Sequence, residues 1–213
     1  MTSLKHTLPA LAWLALAALP MSALAESQTA VTEVAAEEEP AVVEMTLGNP
    51  DAAVTLMEYA SFTCGHCATF HANQFKQLKA EYIDTGKINF VYRDVYFDRV
   101  GLWAAMVARC ESDRFFGVSD LIYSKQGEWM NSQDPVVLAA NLRKMGKIAG
   151  LEEDKIKACM EDGDKAKALV DWFQANTAAD DINATPTLII NGEKYKNMSY
   201  EKLKAILDEK LGS

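Results

Sequence analysis

The chain has 213 residues, 49% hydrophobic and 24% charged, which is enough to bury a core without help from cross-links. Its formal charge of −9 repels phosphate backbones and argues against nucleic-acid binding. Four cysteines, Cys64, Cys67, Cys110 and Cys159, are too few for a disulfide scaffold in a chain of this length, so at least one pair is expected to have a chemical task.

Lys5 and His6 precede an apolar run from Leu8 to Leu19, and Ala23-Leu24-Ala25 follows as a small-residue cleavage site. This is the layout of a secretory signal peptide, residues 1–25, so the mature chain is expected to begin near Glu26 in an oxidising compartment outside the cytoplasm. Its removal takes away Lys5 and no carboxylate, moving the formal charge from −9 to −10. Residues 26–45, with the run Glu37-Glu38-Glu39-Pro40, have no helical or strand period and are expected to form an acidic disordered linker.

A short strand is expected over Val42 to Leu47, closed by the turn residues Gly48-Asn49-Pro50-Asp51. Ala53 to Tyr59 is a near-continuous apolar run, the pattern of a strand covered on both faces, and Glu58 stands out in it as a carboxylate in a core. Ser61 to Ala68 holds Cys64-Gly65-His66-Cys67, and Thr69 to Tyr82 reads as a helix whose inner face carries Cys67, His71, Phe75, Leu78 and Tyr82. Ile88 to Val95 alternates as a third strand, parallel to the second through a right-handed crossover.

Helical patterns then run from Leu102 to Phe116, from Asp134-Pro135 to Ala149, over Glu152 to Met160 and over Lys165 to Thr177, about four or five helices in all. Strand signals return at Thr187 to Ile190, with Asn191-Gly192 as a hairpin turn and Glu193 to Tyr195 as its return. A last helix, capped near Ser199, puts Tyr200, Leu203, Ile206 and Leu207 on one face.

Two cysteines three apart, between a strand and a helix, suit either a redox dithiol or half of a zinc site. The flanking elements favour the first, since zinc needs two further ligands and Cys110 and Cys159 do not form a second close pair. At the first turn of a helix, the Cys64 sulfur faces unpaired N–H groups and the positive dipole end, which lowers a thiol pKa. A stabilised thiolate leaves well, so the Cys64-Cys67 disulfide is expected to be oxidising. His66 adds charge or a hydrogen bond to the same sulfur, while Cys67 is the more buried, resolving thiol. Glu58 is a candidate to exchange the Cys67 proton, because burial raises a carboxylate pKa. His71 reads as a packed, hydrogen-bonded histidine. In an exported chain, Cys110 and Cys159 are expected to form a structural disulfide rather than two inert buried thiols.

The strand with Glu58, the Cys64-Gly65-His66-Cys67 motif, the Thr185-Pro186 pair entering a strand and the helical block between them together resemble the DsbA type of exported thioredoxin-fold oxidoreductase. The resemblance implies an α/β thioredoxin fold, a mixed central sheet flanked by helices, built from residues 46–100 and 179–213 with a helical subdomain inserted over 101–178. It implies a cis bond at Thr185-Pro186 in a loop facing Cys64, so Thr185 and Pro186 are expected to bind substrate, and Phe62 is counted with them. It further implies a monomer with no cofactor, acting in the periplasm on reduced or unfolded exported proteins and re-oxidised by a quinone-linked membrane partner of the DsbB type.

Two alternatives stand beside this reading. The Gly65-His66 pair resembles that of eukaryotic disulfide isomerases, where DsbA has Pro-His, and Thr before the proline also occurs in isomerases. An isomerase or reductase, kept reduced by another partner, uses the same dithiol. A redox-silent binding module or chaperone on the same scaffold is the reading from another class.

Overall fold

The computed structural model describes residues 42–212; the leader and most of the linker expected from the sequence lie outside them. The linker expectation is corrected at its end, because Met45 is 4% exposed and begins β1 (Met45–Gly48). Gly48 closes that strand at φ 89°, where a side chain would also strike the Ile88 carbonyl, so glycine is required there.

Strands β2 (Val54–Ala60) and β3 (Ile88–Asp94) pair in parallel, with Glu58 opposite Tyr92. With β1, β4 (Thr187–Ile190) and β5 (Glu193–Lys196) they form one five-stranded mixed sheet in the order β1-β3-β2-β4-β5. The two central strands are the most apolar because both of their faces are covered: Val54, Leu56, Ile88 and Phe90 are fully buried. Asn191 and Gly192, at φ 48° and 84°, make the hairpin turn that the dipeptide predicts.

Helix α1 (Gly65–Phe70) passes through a π-type turn (His71–Phe75) into α2 (Lys76–Leu78) and a second π-type turn (Lys79–Ile83), so the segment predicted from Thr69 is helical from Gly65 onward. It ends where Gly86 takes φ 69°.

Between β3 and β4 lie α3 (Arg99–Ala108), α4 (Phe115–Ser124), α5 (Gln126–Trp129), α6 (Pro135–Ile148), α7 (Glu153–Glu161) and α8 (Gly163–Ala179). The uninterrupted helix predicted from Leu102 to Phe116 is broken after Ala108. Arg109 there turns inward to Asp94 at 2.6 Å, Cys110 is bonded to Cys159, and Glu111 is extended before the short 3-10 turn Ser112–Arg114. Asp134 caps α6 through the Val136 N–H, with Pro135 at its first position. Helix α9 (Tyr200–Leu211) packs Tyr200, Leu203 and Leu207 into the core. No helix among the described residues is long and apolar enough to cross a membrane.

Candidate active site

The dithiol sits where β2 ends and α1 begins. Cys64 N donates to Ser61 O at 3.1 Å, closing a tight turn that carries the chain from strand to helix. Cys64 then takes the N-cap position, with φ −88° and ψ 117°. Its Sγ accepts the Cys67 N–H at 3.4 Å, a role a serine or aspartate oxygen ordinarily plays. On the other side the thiol donates to Thr185 O at 3.6 Å, across the cis Thr185-Pro186 bond of the loop leading into β4.

The two sulfurs differ sharply. Cys64 is partly exposed, and a hydrogen bond from the Cys67 thiol, assisted by the N–H groups of Cys67 and His66, pulls it from 9.0 to about 5 against the opposing effect of burial. Cys67 is fully buried; that burial first, then the bond to Cys64 and the charge of Glu58, push its thiol far above the ordinary range. Cys64 is therefore the accessible thiolate and Cys67 the protonated, protected partner.

Beneath Cys67, Glu58 is wholly buried and its Oε2 lies 3.1 Å from His71 Nε2. Glu58 Oε1 has no hydrogen-bond partner among the described residues. His71 stacks on Tyr123 at 4.1 Å and lies over Phe75 at 4.6 Å, and the Tyr123 and Tyr92 hydroxyls are 2.7 Å apart. The hydrogen bond expected for His71 thus goes to Glu58, and α4 closes the buried side of the site.

His66 is placed differently from expectation. Its side chain is exposed and makes no hydrogen bond among the described residues; its backbone N–H is what acts on Cys64. The ring instead borders a groove of about 730 Å³ shared with Asn183, Thr185, Pro186, Tyr195 and Lys196. Phe62 is a correction: at 1% exposure it packs on Tyr123 and Tyr92, with ring centroids 4.8 and 5.9 Å away, and offers no surface to a substrate. Apolar residues before a surface motif fit a binding rim and a core equally well by pattern, and only the fold separates the two.

Cys110 and Cys159 are bonded to each other, 49 residues apart, and are therefore not free to serve as zinc ligands. Two site residues were missed by sequence reasoning. Tyr123 and Gln126 lie in the stretch after Leu121 that carries no motif, yet Gln126 Nε2 donates to the carbonyls of Phe62 at 2.8 Å and Cys64 at 3.1 Å. Their contacts are 31 to 64 residues distant in sequence, which no local pattern encodes.

This geometry has known counterparts. A putative protein-disulfide oxidoreductase of Rickettsia bellii is 33% identical over 168 residues, 78% of this chain, and the chain spans 64% of the length of that relative. The disulfide bond formation protein D of Bacillus subtilis is 26% identical over 175 residues, with 78% and 76% of the two chains covered. Among solved structures, alpha-DsbA1 of Wolbachia pipientis superposes with a TM-score of 0.73 at 26% identity, covering 81% of this chain and 93% of the other. A family model described as thioredoxin matches residues 41–209, and the chain belongs to that family.

Proposed function

We propose that the protein is an exported thiol oxidase that introduces disulfides into other exported proteins. The observation that carries this reading is the Cys64 sulfur, held at a helix N-cap and acidified to about 5. A substrate thiolate attacks Cys64 Sγ of the oxidised form, the Cys64–Cys67 bond breaks, and Cys67 departs as a thiolate. Because Cys67 binds its proton tightly, it is protonated at once, and Glu58 is the group we assign to deliver that proton. A second substrate thiolate attacks the substrate sulfur of the mixed disulfide and releases Cys64 as a stable thiolate. The substrate has lost two electrons and the dithiol has gained them; a quinone-linked membrane oxidase would take them away.

Thr185 would position the substrate, because its carbonyl beside Cys64 is placed to pair with an extended chain and Pro186 and the groove next to His66 leave room for it. The leader read over residues 1–25 supports a periplasmic site of action. A second reading, an isomerase kept reduced, is favoured by Gly65-His66 between the cysteines.

Equilibration with glutathione tests the direction. The oxidase reading expects a Cys64–Cys67 potential above about −180 mV; a value within about 30 mV of thioredoxin's −270 mV overturns it. Faster recovery of a scrambled substrate than of a reduced one would favour the isomerase.

A further inference from the structure

Gln126 reaches the dithiol loop from the helical insertion, at the junction where α4 turns into α5. A side-chain amide carries two N–H groups, and these are matched by two main-chain carbonyls, Phe62 O at 2.8 Å and Cys64 O at 3.1 Å. The Cys64 carbonyl already accepts the first helical bond, from Ala68 N at 3.1 Å, so Gln126 fills its remaining acceptor capacity. Gln126 Oε1 faces Gly65, 4.0 Å from where a β-carbon would stand.

The two carbonyls belong to the peptide planes that follow Phe62 and Cys64. The first lies inside the turn closed by Cys64 N and Ser61 O. The second sets ψ of Cys64, 117°, and with it the direction in which the first helical N–H groups present themselves to Sγ. Across the loop, Thr63 Oγ1 is held by Asp98, the cap of α3, at 3.2 Å, so the loop is gripped from both sides.

We infer that Gln126 is a positioning residue of the dithiol: by pinning the carbonyls of Phe62 and Cys64 it keeps Cys64 Sγ over the helical N–H groups and sets how readily the Cys64–Cys67 disulfide opens. The inference rests on the redox reading of that pair but not on the direction in which it works. Removing the two donors frees the 64–65 peptide plane, weakens the N–H contact to the thiolate and makes Cys64 less acidic. A carboxylate at position 126 goes further, because it opposes two carbonyl oxygens and adds negative charge beside the thiolate.

The test uses the full chain and two variants, Gln126→Met, which keeps the volume and loses the donors, and Gln126→Glu. Thiolate absorbance against pH and the glutathione equilibrium constant are each taken as a ratio to the parent, with thermal unfolding measured alongside. In Gln126→Met the acid dissociation constant of Cys64 and the glutathione constant are expected to shift together by about threefold to tenfold toward a weaker acid and a less oxidising disulfide. Gln126→Glu is expected to shift both further in the same direction. Ratios within about twofold of the parent in both variants, with or without a lower melting temperature, overturn the inference and leave a purely structural glutamine. If Gln126→Met fails to fold, the Gln126→Glu ratios decide by the same criterion. A parent potential near thioredoxin's would remove the oxidase reading and leave these ratios intact; ratios near one would remove the role of Gln126 and leave the oxidase reading intact.

Discussion

Two carboxylates are buried in the paired central strands, Glu58 on β2 and Asp94 on β3, and each meets one basic side chain. Asp94 meets Arg109 at 2.6 Å with both side chains at most 2% exposed. Glu58 meets His71 at 3.1 Å, at 0% and 4%. The burial is the same and the partners are not. Arg109 never gives up its proton, and its remaining contacts are those of an anchor: Nη1 donates to Val43 O at 2.8 Å, and the guanidinium lies 5.2 and 5.4 Å from the rings of Phe115 and Trp172. His71 shares one hydrogen bond with Glu58, and the charge of Glu58 acts on the Cys67 thiol. One pair ties the end of β3 and the chain before β1 to the insertion; the other lies beneath the dithiol.

The largest expected effect breaks the locked pair. Asp94→Ala leaves the Arg109 cation buried without its partner, and urea unfolding should show a loss of about 3–5 kcal/mol. The acidity of Cys64 should change little, because Arg109 and Asp94 are not among the principal groups acting on it. A loss below about 1 kcal/mol would mean that Arg109 finds other partners on unfolding of that corner.

The next effect is a pH dependence confined to the dithiol. Cys64 ionises near 9.0 in an unfolded chain and at about 5 in the fold, so its contribution to stability is complete above pH 9, declines as pH falls toward 5 and is absent below that. Cys67 has the opposite sign: its thiol is held protonated in the fold, and stability is lost as pH rises above its unfolded value. The reduced protein should therefore be most stable near pH 9, and the disulfide form should lack both dependences. Undamped, the Cys64 displacement would carry about 5 kcal/mol. Solvent at the partly exposed sulfur screens it, and about 2 kcal/mol is the expected rise between pH 5 and 9, read from unfolding of the reduced protein against Cys64→Ser.

The contrast between the two pairs also marks where sequence reading stops. Glu58 was visible as a carboxylate in an apolar strand, and the Cys64 motif, Asn191-Gly192 and Asp134-Pro135 carry their geometry in adjacent residues. Asp94 ends a strand that merely alternates, and Arg109 sits in a helical pattern that says nothing of the break after Ala108. Both become informative only when β3 and α3 are brought together. Tyr123 and Gln126 are hidden for the same reason: each acts on a residue in another layer of the fold, through an aromatic ring or an amide that any exposed helix carries. Phe62 fails in the opposite way, since its place beside the motif resembled function while its ring was needed for packing.

The smallest stability change is expected at the second pair, and it separates a proton carrier from a second lock. Glu58→Gln keeps the shape and a hydrogen bond to His71 while removing the charge, so the loss of stability should be about 1 kcal/mol. The chemistry should respond more than the fold. Without a carboxyl group to relay a proton to Cys67, opening of the disulfide by a small thiol should slow by about tenfold or more at neutral pH, while the Cys64 titration should change little because Glu58 is not among the principal groups acting on that sulfur. Stopped-flow reduction over a range of pH reads both quantities. A rate and pH profile equal to the parent's, with stability falling as far as in Asp94→Ala, would make Glu58–His71 a lock like Asp94–Arg109 and return the Cys67 proton to solvent.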